Sequence, residues 1–353
     1  METFIVQLVS LITTAVSFGT VIMYGSMGEI LTEKSGHLNL GVPGIMYMGG
    51  IGGLIGAFIY ETHTASPVPA VGLAIALGCA VVCSVFGGLI YSFLTITLRA
   101  NQNVTGLTLT IFGGGLANFF GGSLSKLAGG VGQISVAATS SAFRATQHIS
   151  DGLVSWLRMR AASGSGFVGI LAKIAEYLDK AFCNYGFMAY LAIVIAILLS
   201  RFLNRTSRGL NLRAVGENPA TADAAGVNVT LYKYLSTCVG AAISGLGGVY
   251  YVMDYIKGTW ANDGNIEAVG WLAVALVIFA TWKPLRSVWG AYLFGALYWL
   301  YNFIPGLTRS AQEIFKMLPY IVTIIVLITV SLRHKKEDQP PTSLGLSYFR
   351  EDR

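Results

Sequence analysis

Charge is what this chain has least of. Of its 353 residues only 11% are Asp, Glu, Lys or Arg, against about 25% in a soluble domain. A surface of water-exposed globular type cannot be built from so few, so the solvent for most of the chain is hydrocarbon. Cysteine is equally sparse, at four. Cys79 and Cys83 share a helix face with no His or carboxylate near them and read as small buried hydrophobes; Cys183 and Cys238 stand alone. That excludes a disulfide framework and a zinc site. The four histidines, His37, His63, His148 and His334, are scattered, so neither a metal nor another cofactor is expected. The G-x-x-x-x-G-K-[ST] loop is missing, so ATP binding and hydrolysis by this chain alone are not expected. The H-E-x-x-H and G-x-S-x-G motifs are missing too, and a membrane enzyme loses ground. Asp and Glu are nearly absent from the apolar runs. An ion-coupled carrier or channel, which would place ionisable groups there, is therefore the weaker reading.

What the chain has instead is apolar length: 54% of its residues are hydrophobic. The uncharged stretches 38–60, 64–98, 100–125 and 287–308 each reach the length of a bilayer crossing. Shorter cores lie at 184–200, 234–253, 268–282 and 317–332, and one more at 3–27. Together they predict about nine transmembrane helices in an all-α polytopic bundle. The first run lacks a basic leader and a small-residue cleavage site, which argues for a retained helix rather than a signal peptide. Glycines such as Gly52, Gly56, Gly240 and Gly248 fit close helix crossings.

The net charge of +6 is explained by basic cytoplasmic loops rather than by nucleic acid. Arg99, the cluster Arg201, Arg205, Arg208 and Arg213, the pair Lys283 and Arg286, and the tail residues Arg333, Lys335 and Lys336 all fall inside under one alternation. The N-terminus is then outside and the C-terminus inside. Loops 61–67, 255–267 and 304–312 and the long segment 123–183 face outward. Within that long segment, Phe167, Ile170, Leu171, Ile174, Leu178 and Phe182 repeat at helical spacing. They predict an amphipathic helix on the outer surface of the membrane or of the bundle, as part of a platform for an external partner. Trp282 and Trp289 flank the Lys283–Arg286 turn as expected interfacial anchors.

Two segments carry candidate solute chemistry. Residues 28–44 interrupt the apolar pattern with Gly36, Gly41, Pro43 and Gly44. They read either as a broken, re-entrant stretch lining a cavity or as a cytoplasmic turn holding Glu29, Glu33 and Lys34. In the first case Ser35, Asn39 and the backbone at Gly41 are available to a polar solute. The crossing that starts at Asn101 contains Thr105, Thr108 and Asn118, a polar stripe on a pathway unless the threonines bond their own helix carbonyls.

A third segment, 201–228, is polar, short and structured. Glu217 to Asn218 can cap a short helix, Pro219 suits its first turn and Gly226 its end. Its Leu212-Arg213-Ala214-Val215-Gly216-Glu217-Asn218-Pro219 string, with Ala224-Ala225-Gly226-Val227-Asn228, Glu33-Lys34-Ser35-Gly36, Leu38-Asn39-Leu40-Gly41 and Ile278-Phe279-Ala280-Thr281-Trp282-Lys283-Pro284, resembles the permease subunits of bacterial ABC importers. The likeness is to those taking up nucleosides and simple sugars alongside Bmp-type binding lipoproteins. Two positions depart from that pattern: Pro43 stands where the family usually has Glu, and Thr110 where it often has Asn.

The resemblance implies that 212–229 is a coupling helix seated on an ATP-binding subunit, with Arg213, Gly216, Glu217, Asn218, Pro219, Asp223 and Gly226 carrying the contact. It implies a second permease subunit as heterodimer partner, an extracytoplasmic solute-binding lipoprotein, and residence in the bacterial cytoplasmic (inner) membrane among lipid. The expected organisation is a transmembrane domain over 1–333, holding the external segment 123–183 and the coupling loop 201–229, and a cytoplasmic tail over 334–353. The expected cargo is a nucleoside or a related small polar solute, with a simple sugar or branched-chain amino acid as the alternative.

Overall fold

In hydrocarbon no water satisfies the backbone, so an apolar run must close its own hydrogen bonds. The computed structural model shows it doing so as helices; it describes residues 2–127, 134–148, 152, 155–156, 159, 166–260, 264–333 and 338–349. In chain order these are α1 (Glu2–Glu33), α2 (Val42–His63), α3 (Pro69–Ser92), α4 (Gln102–Leu127), α5 (Ala137–Phe143), α6 (Gly166–Leu178), α7 (Phe187–Arg205), α8 (Ser207–Glu217), α9 (Pro219–Ala224), α10 (Val229–Tyr250), α11 (Asn265–Phe279), α12 (Pro284–Trp299), α13 (Arg309–Lys316) and α14 (Leu318–Arg333). Wider π turns, Phe93–Thr97, Asp179–Cys183 and Tyr251–Tyr255, extend α3, α6 and α10. Among the described residues β structure is confined to one isolated bridge, between Ser135 and Thr259.

Among the described residues seven stretches are long and apolar enough to cross a membrane: Ile5–Glu33, Val42–His63, Pro69–Thr97, Gln102–Gly122, Phe187–Arg205, Val229–Tyr255 and Arg309–Leu332. The remaining two of the expected nine are α11, of 15 residues, and α12, of 16. At 1.5 Å per residue each reaches about 22–24 Å, short of the ~30 Å hydrocarbon core. They form a hairpin through 280–283, and its tip is a folded feature of its own (below). Pro69 and Pro284 open α3 and α12, where a missing N–H removes nothing.

The centre of the bundle is α1, α2, α3 and α10. Backbones touch there because glycines meet. A Cβ at Gly49 would lie 2.5 Å from the Gly245 Cα, one at Gly240 would meet the Gly28 carbonyl, and one at Gly248 the Met46 carbonyl. Gly52 and Gly56 face the Cys83 and Cys79 side chains, so these cysteines fill the notches as small hydrophobes. Around the glycine contacts sit fully buried Tyr24, Met27, Ile30, Met46, Tyr250 and Phe294. The Tyr24 hydroxyl donates to the Met188 carbonyl at 2.8 Å and ties α1 to α7. By contrast α14 lies at the edge, with Ile324, Ile328 and Leu332 more than half exposed.

The short basic loops gather at one end. Arg99 lies 4.5 Å beneath the Phe349 ring, Lys283 and Arg286 bond Asp338, and α8 bonds Ser343. The opposite end collects α5 and the π turn after α6. The Thr139 amide donates to Glu61 at 2.7 Å, Ser140 Oγ to the Met253 carbonyl at 2.9 Å, and Thr13 Oγ1 to the Lys180 carbonyl at 3.1 Å. The expected amphipathic helix is α6 with its π turn, and it leaves Ile174, Leu178 and Phe182 exposed. The side chains of Phe167, Ile170 and Leu171 lie outside the described residues.

Two expectations change. Trp289 is 79% exposed, as an anchor would be, but Trp282 is only 8% exposed and belongs to the core. Acidic groups are also less absent from the spans than the sequence suggests. Glu29 and Asp254 are buried within two of them, each accepting a hydrogen bond at one oxygen from a non-adjacent chain segment.

Candidate functional site

The polar segment after α7 folds as two short helices with a break between them. Thr206 caps α8 by accepting the Gly209 amide at 3.0 Å. At the break Asn218 is extended, and its side chain caps α9 by accepting the Thr221 amide at 3.0 Å, with Pro219 in the first turn. Gly226, at φ +84, ends α9: its amide reaches the Asp223 carbonyl at 2.9 Å, and the Val227 amide reaches Ala222 at 3.0 Å. Asn228 then caps α10. Each cap contributes about 1 kcal/mol, and together they fix where the two short helices begin and end. Val215, Ala222 and Val229 form its own small core, while Ala220, Thr221, Ala224 and Ala225 face outward.

Three other pieces hold this element against the bundle. The first is the link 34–41 between α1 and α2. It is a turn at the basic end of the bundle and is almost fully enclosed: Ser35, His37 and Asn39 are at most 2% exposed. Gly36, at φ +79, makes the turn, and Gly216 of α8 packs so closely that a Cβ there would lie 3.1 Å from the Gly36 amide nitrogen and closer still to the Lys34 carbonyl. Burial lowers the Lys34 pKa; Glu217 opposes this, and Arg213 and Lys283 add to it.

The second piece is the hairpin tip. Thr281 and Trp282 both adopt left-handed backbone, at φ +51 and +54, a conformation that disfavours L residues by roughly 1–2 kcal/mol each. Their side chains offset that cost. Trp282 Nε1 donates to Glu33, and Arg286 Nη1 donates to Thr281 Oγ1 at 2.5 Å.

The third piece is the tail, 338–349. Asp338 accepts from Lys283 at 2.7 Å and from Arg286 at 2.9 Å, and these two bonds, Lys283 first, hold its carboxyl below the usual pKa. The Ser343 amide and hydroxyl both donate to the Gly216 carbonyl, at 3.1 and 2.5 Å. Thr342 Oγ1 donates to Glu217 at 2.8 Å and Tyr348 Oη to Asp223 at 2.9 Å.

This arrangement, a capped helix pair strapped to the basic end of an apolar bundle, is accompanied by a match along the sequence. The family model for the permease component of branched-chain amino acid transport systems matches residues 10–327. The chain belongs to this family. It is therefore the permease component of an ABC transporter and a multi-pass membrane protein. The permease is similar to the putative glucose ABC transporter permease protein TsgC13 of Haloferax volcanii, at 29% identity over 97% of this chain and 98% of that one. It is also similar to the nucleoside ABC transporter permease protein NupC of Lactococcus lactis, at 29% identity over 88% of each chain. A third relative is the guanosine ABC transporter permease protein NupQ of Bacillus subtilis, at 26% identity over 92% of each. No solved structure matches.

Of the permease's candidate coupling residues, Gly216, Glu217 and Asp223 meet the link or the tail; Glu217 and Asn218 are exposed, Pro219 and Arg213 half-buried, and Gly226 lies open. The candidate path residues separate. Ser35 Oγ donates to the Thr32 carbonyl at 2.7 Å. Asn39 Oδ1 accepts the Gly41 amide at 2.9 Å, and the Asn39 amide donates to Glu29 at 3.0 Å. These groups are occupied within the turn. Thr105 and Thr108 line an apolar groove of about 300 Å³ with Tyr91 and Phe112, and Thr108 Oγ1 bonds its own helix at Val104, 2.8 Å away. Asn118 lies about 15 Å further along α4 and is exposed. Thr110, one of the two departures, donates to the Leu40 carbonyl at 3.0 Å, and Pro43, the other, packs on Gly270 in the first turn of α2. Sequence reasoning missed the strap 338–349 and the Glu33–Trp282 tie. The only local signal for the tie is the placing of an acid at the end of an apolar run.

Proposed function

We propose that this permease carries a nucleoside or a closely related small polar solute inward, driven by ATP hydrolysed in a separate subunit. The observation that carries the reading is the α8–α9 pair: a rigid, capped element presenting small outward residues beside the basic end of the bundle. Gly216 gives it backbone contact with the link that starts α2, so a push on α9 reaches the bundle centre through van der Waals contact rather than through a loop. The basic end is assigned to the cytoplasm of a bacterial cell, with the tail, by the excess of Lys and Arg in its short loops; the N-terminus is then outside. A second permease subunit and an extracytoplasmic binding lipoprotein complete the importer, the latter docking near α5 and α6. The organisation follows: a transmembrane domain over 1–333 and a tail that serves the coupling element.

In this reading α4 borders the solute path through Thr105, Thr108 and Asn118, and Ser35, Asn39 and Gly41 set the shape of its inner end. Support for nucleosides comes from the names of the Lactococcus and Bacillus relatives. The Haloferax relative, aligned over nearly the whole chain, supports a sugar as second reading. Uptake of labelled guanosine and labelled glucose in cells with and without the chain separates the two. Loss of guanosine uptake alone supports the first, loss of glucose uptake alone the second. Unchanged uptake of both refutes each.

A further inference from the structure

Between the C-terminal turn of α3, the link 34–41, the α9–α10 junction and the tail lies a polar cavity of about 370 Å³, within the size range of small-molecule sites. The proposed solute path does not use it, and of the coupling residues only Asp223 and Gly226 reach its wall. Lys233 in its wall is 3% exposed, and no carboxylate, carbonyl or hydroxyl among the described residues accepts from its ammonium. Its position is doubly unfavourable. The side chain is enclosed except where its ammonium meets the cavity, a poor setting for an unpaired charge, and Lys233 lies near the N-terminal turn of α10, where the helix dipole repels cations and favours anions. Asn228 takes the Leu231 amide, whereas the Val229 and Thr230 amides have no acceptor within the helix, and both residues line the same cavity.

Two other charged residues line the wall, Arg99 and Asp223. Arg99 contributes a second cation, held under Phe349. The acidic residue of the lining, Asp223, is engaged by the Tyr348 hydroxyl. His37 stays neutral: burial first, and the Lys233 charge second, lower its pKa to about 3. Thr95 gives its proton to the Tyr91 carbonyl at 2.6 Å, so His37 Nε2 donates to Thr95 Oγ1 at 2.7 Å.

We propose that this cavity binds the phosphate group of a small phosphate ester, Lys233 and the first-turn amides of α10 taking its oxygens. Such a ligand supplies the missing counter-charge and joins the α9–α10 junction to the tail and to the link beneath the coupling element. A soluble phosphate ester and an anionic lipid headgroup offer the same chemistry, and the test distinguishes them. The full transporter is placed in phosphatidylcholine nanodiscs, and thermal unfolding is followed with inorganic phosphate against chloride at equal ionic strength. A second set of discs contains phosphatidylglycerol.

The expected result is a saturable stabilisation by phosphate. Lys233→Met weakens it about tenfold or more, as does Arg99→Gln, while Lys233→Arg retains it. A Lys233-dependent stabilisation seen only in phosphatidylglycerol discs supports the same site with the lipid as its source. If neither phosphate nor phosphatidylglycerol stabilises the wild-type transporter beyond chloride, the proposal is overturned. Equal responses in wild type, Lys233→Met and Arg99→Gln overturn it as well. Should Lys233→Met not fold, the wild-type titration and the exposed-site variant Arg99→Gln decide the matter.

Discussion

Replacing Gly216 by alanine tests whether α8–α9 acts on the bundle through direct backbone contact. The new Cβ would press on the Lys34 carbonyl and come within 3.1 Å of the Gly36 nitrogen. Both neighbours are backbone in a buried turn, so no side-chain rotation relieves the overlap, and overpacking of this kind costs about 1–3 kcal/mol. Moving α8 away also stretches the two bonds from Ser343 to the Gly216 carbonyl, at 3.1 and 2.5 Å, each contributing about 1 kcal/mol. A combined loss of about 3–5 kcal/mol raises the undocked population roughly a hundred- to several-thousand-fold. The assay is twofold: solute taken up per ATP hydrolysed by the reconstituted importer, and the rate at which protease cuts the tail. We expect ATP hydrolysis to continue, uptake per ATP to fall at least severalfold, and cleavage to accelerate. Gly306→Asn is the control. Gly306 is left-handed with nothing within 4 Å of a new Cβ and lies outside the coupling element, and Asn tolerates that backbone, so docking and uptake are preserved. A Gly216→Ala importer with wild-type coupling and an unaltered cleavage time course refutes the lever.

Four further outcomes follow from named contacts. Asp338→Asn removes two partly exposed ion pairs and loosens the tail by about 1 kcal/mol, read as faster tail cleavage with the melting temperature of the bundle unchanged. Because the Asp338 carboxyl is held below its usual value of 3.8, its contribution is fully present above that pH. It is lost only as pH falls through the lowered folded value, so tail protection is flat from pH 5 to 8 as far as this residue is concerned. Tyr24→Phe removes the hydroxyl's 2.8 Å bond to the Met188 carbonyl, which keeps its own helix bond, and lowers stability by about 1 kcal/mol in detergent melts. Thr108→Val leaves folding intact, since the hydroxyl serves only its own helix; a raised KM for solute with unchanged melting supports a place on the path, and an unchanged KM removes Thr108 from it.

The spans were legible because membrane burial writes itself locally. The end of the uncharged run 64–98 falls within one residue of the π turn that closes α3, and its start overshoots only because residues 64–68 are uncharged but not helical ahead of Pro69. The caps of α9 were legible for the same reason: Asn218, Pro219 and Gly226 act on neighbours within four residues. The turn at 34–41 was half legible. Its glycines announce a break in the helix, but whether that break lies mid-membrane or at an end depends on what packs over it, and α8 and the tail arrive from 180 and 300 residues away in sequence. The tail strap gave no local sign, because Thr342, Ser343 and Tyr348 act singly through hydrogen bonds to remote partners. Trp282 was read as a surface anchor since an interfacial tryptophan and one donating to a buried carboxylate look alike in sequence.

The glycine contacts at the bundle centre restrict what kind of motion this molecule can make. Where Gly49 rides on Gly245, and Gly28 on Gly240, each helix is indexed against the next like teeth in a rack. Slippage of one residue, about 1.5 Å, would bring side chains to positions where backbones already touch. Helices α1, α2 and α10 must then travel as one piece. Any opening between the two sides of the membrane has to come from tilting that block against lightly packed neighbours such as α14, or against a second subunit.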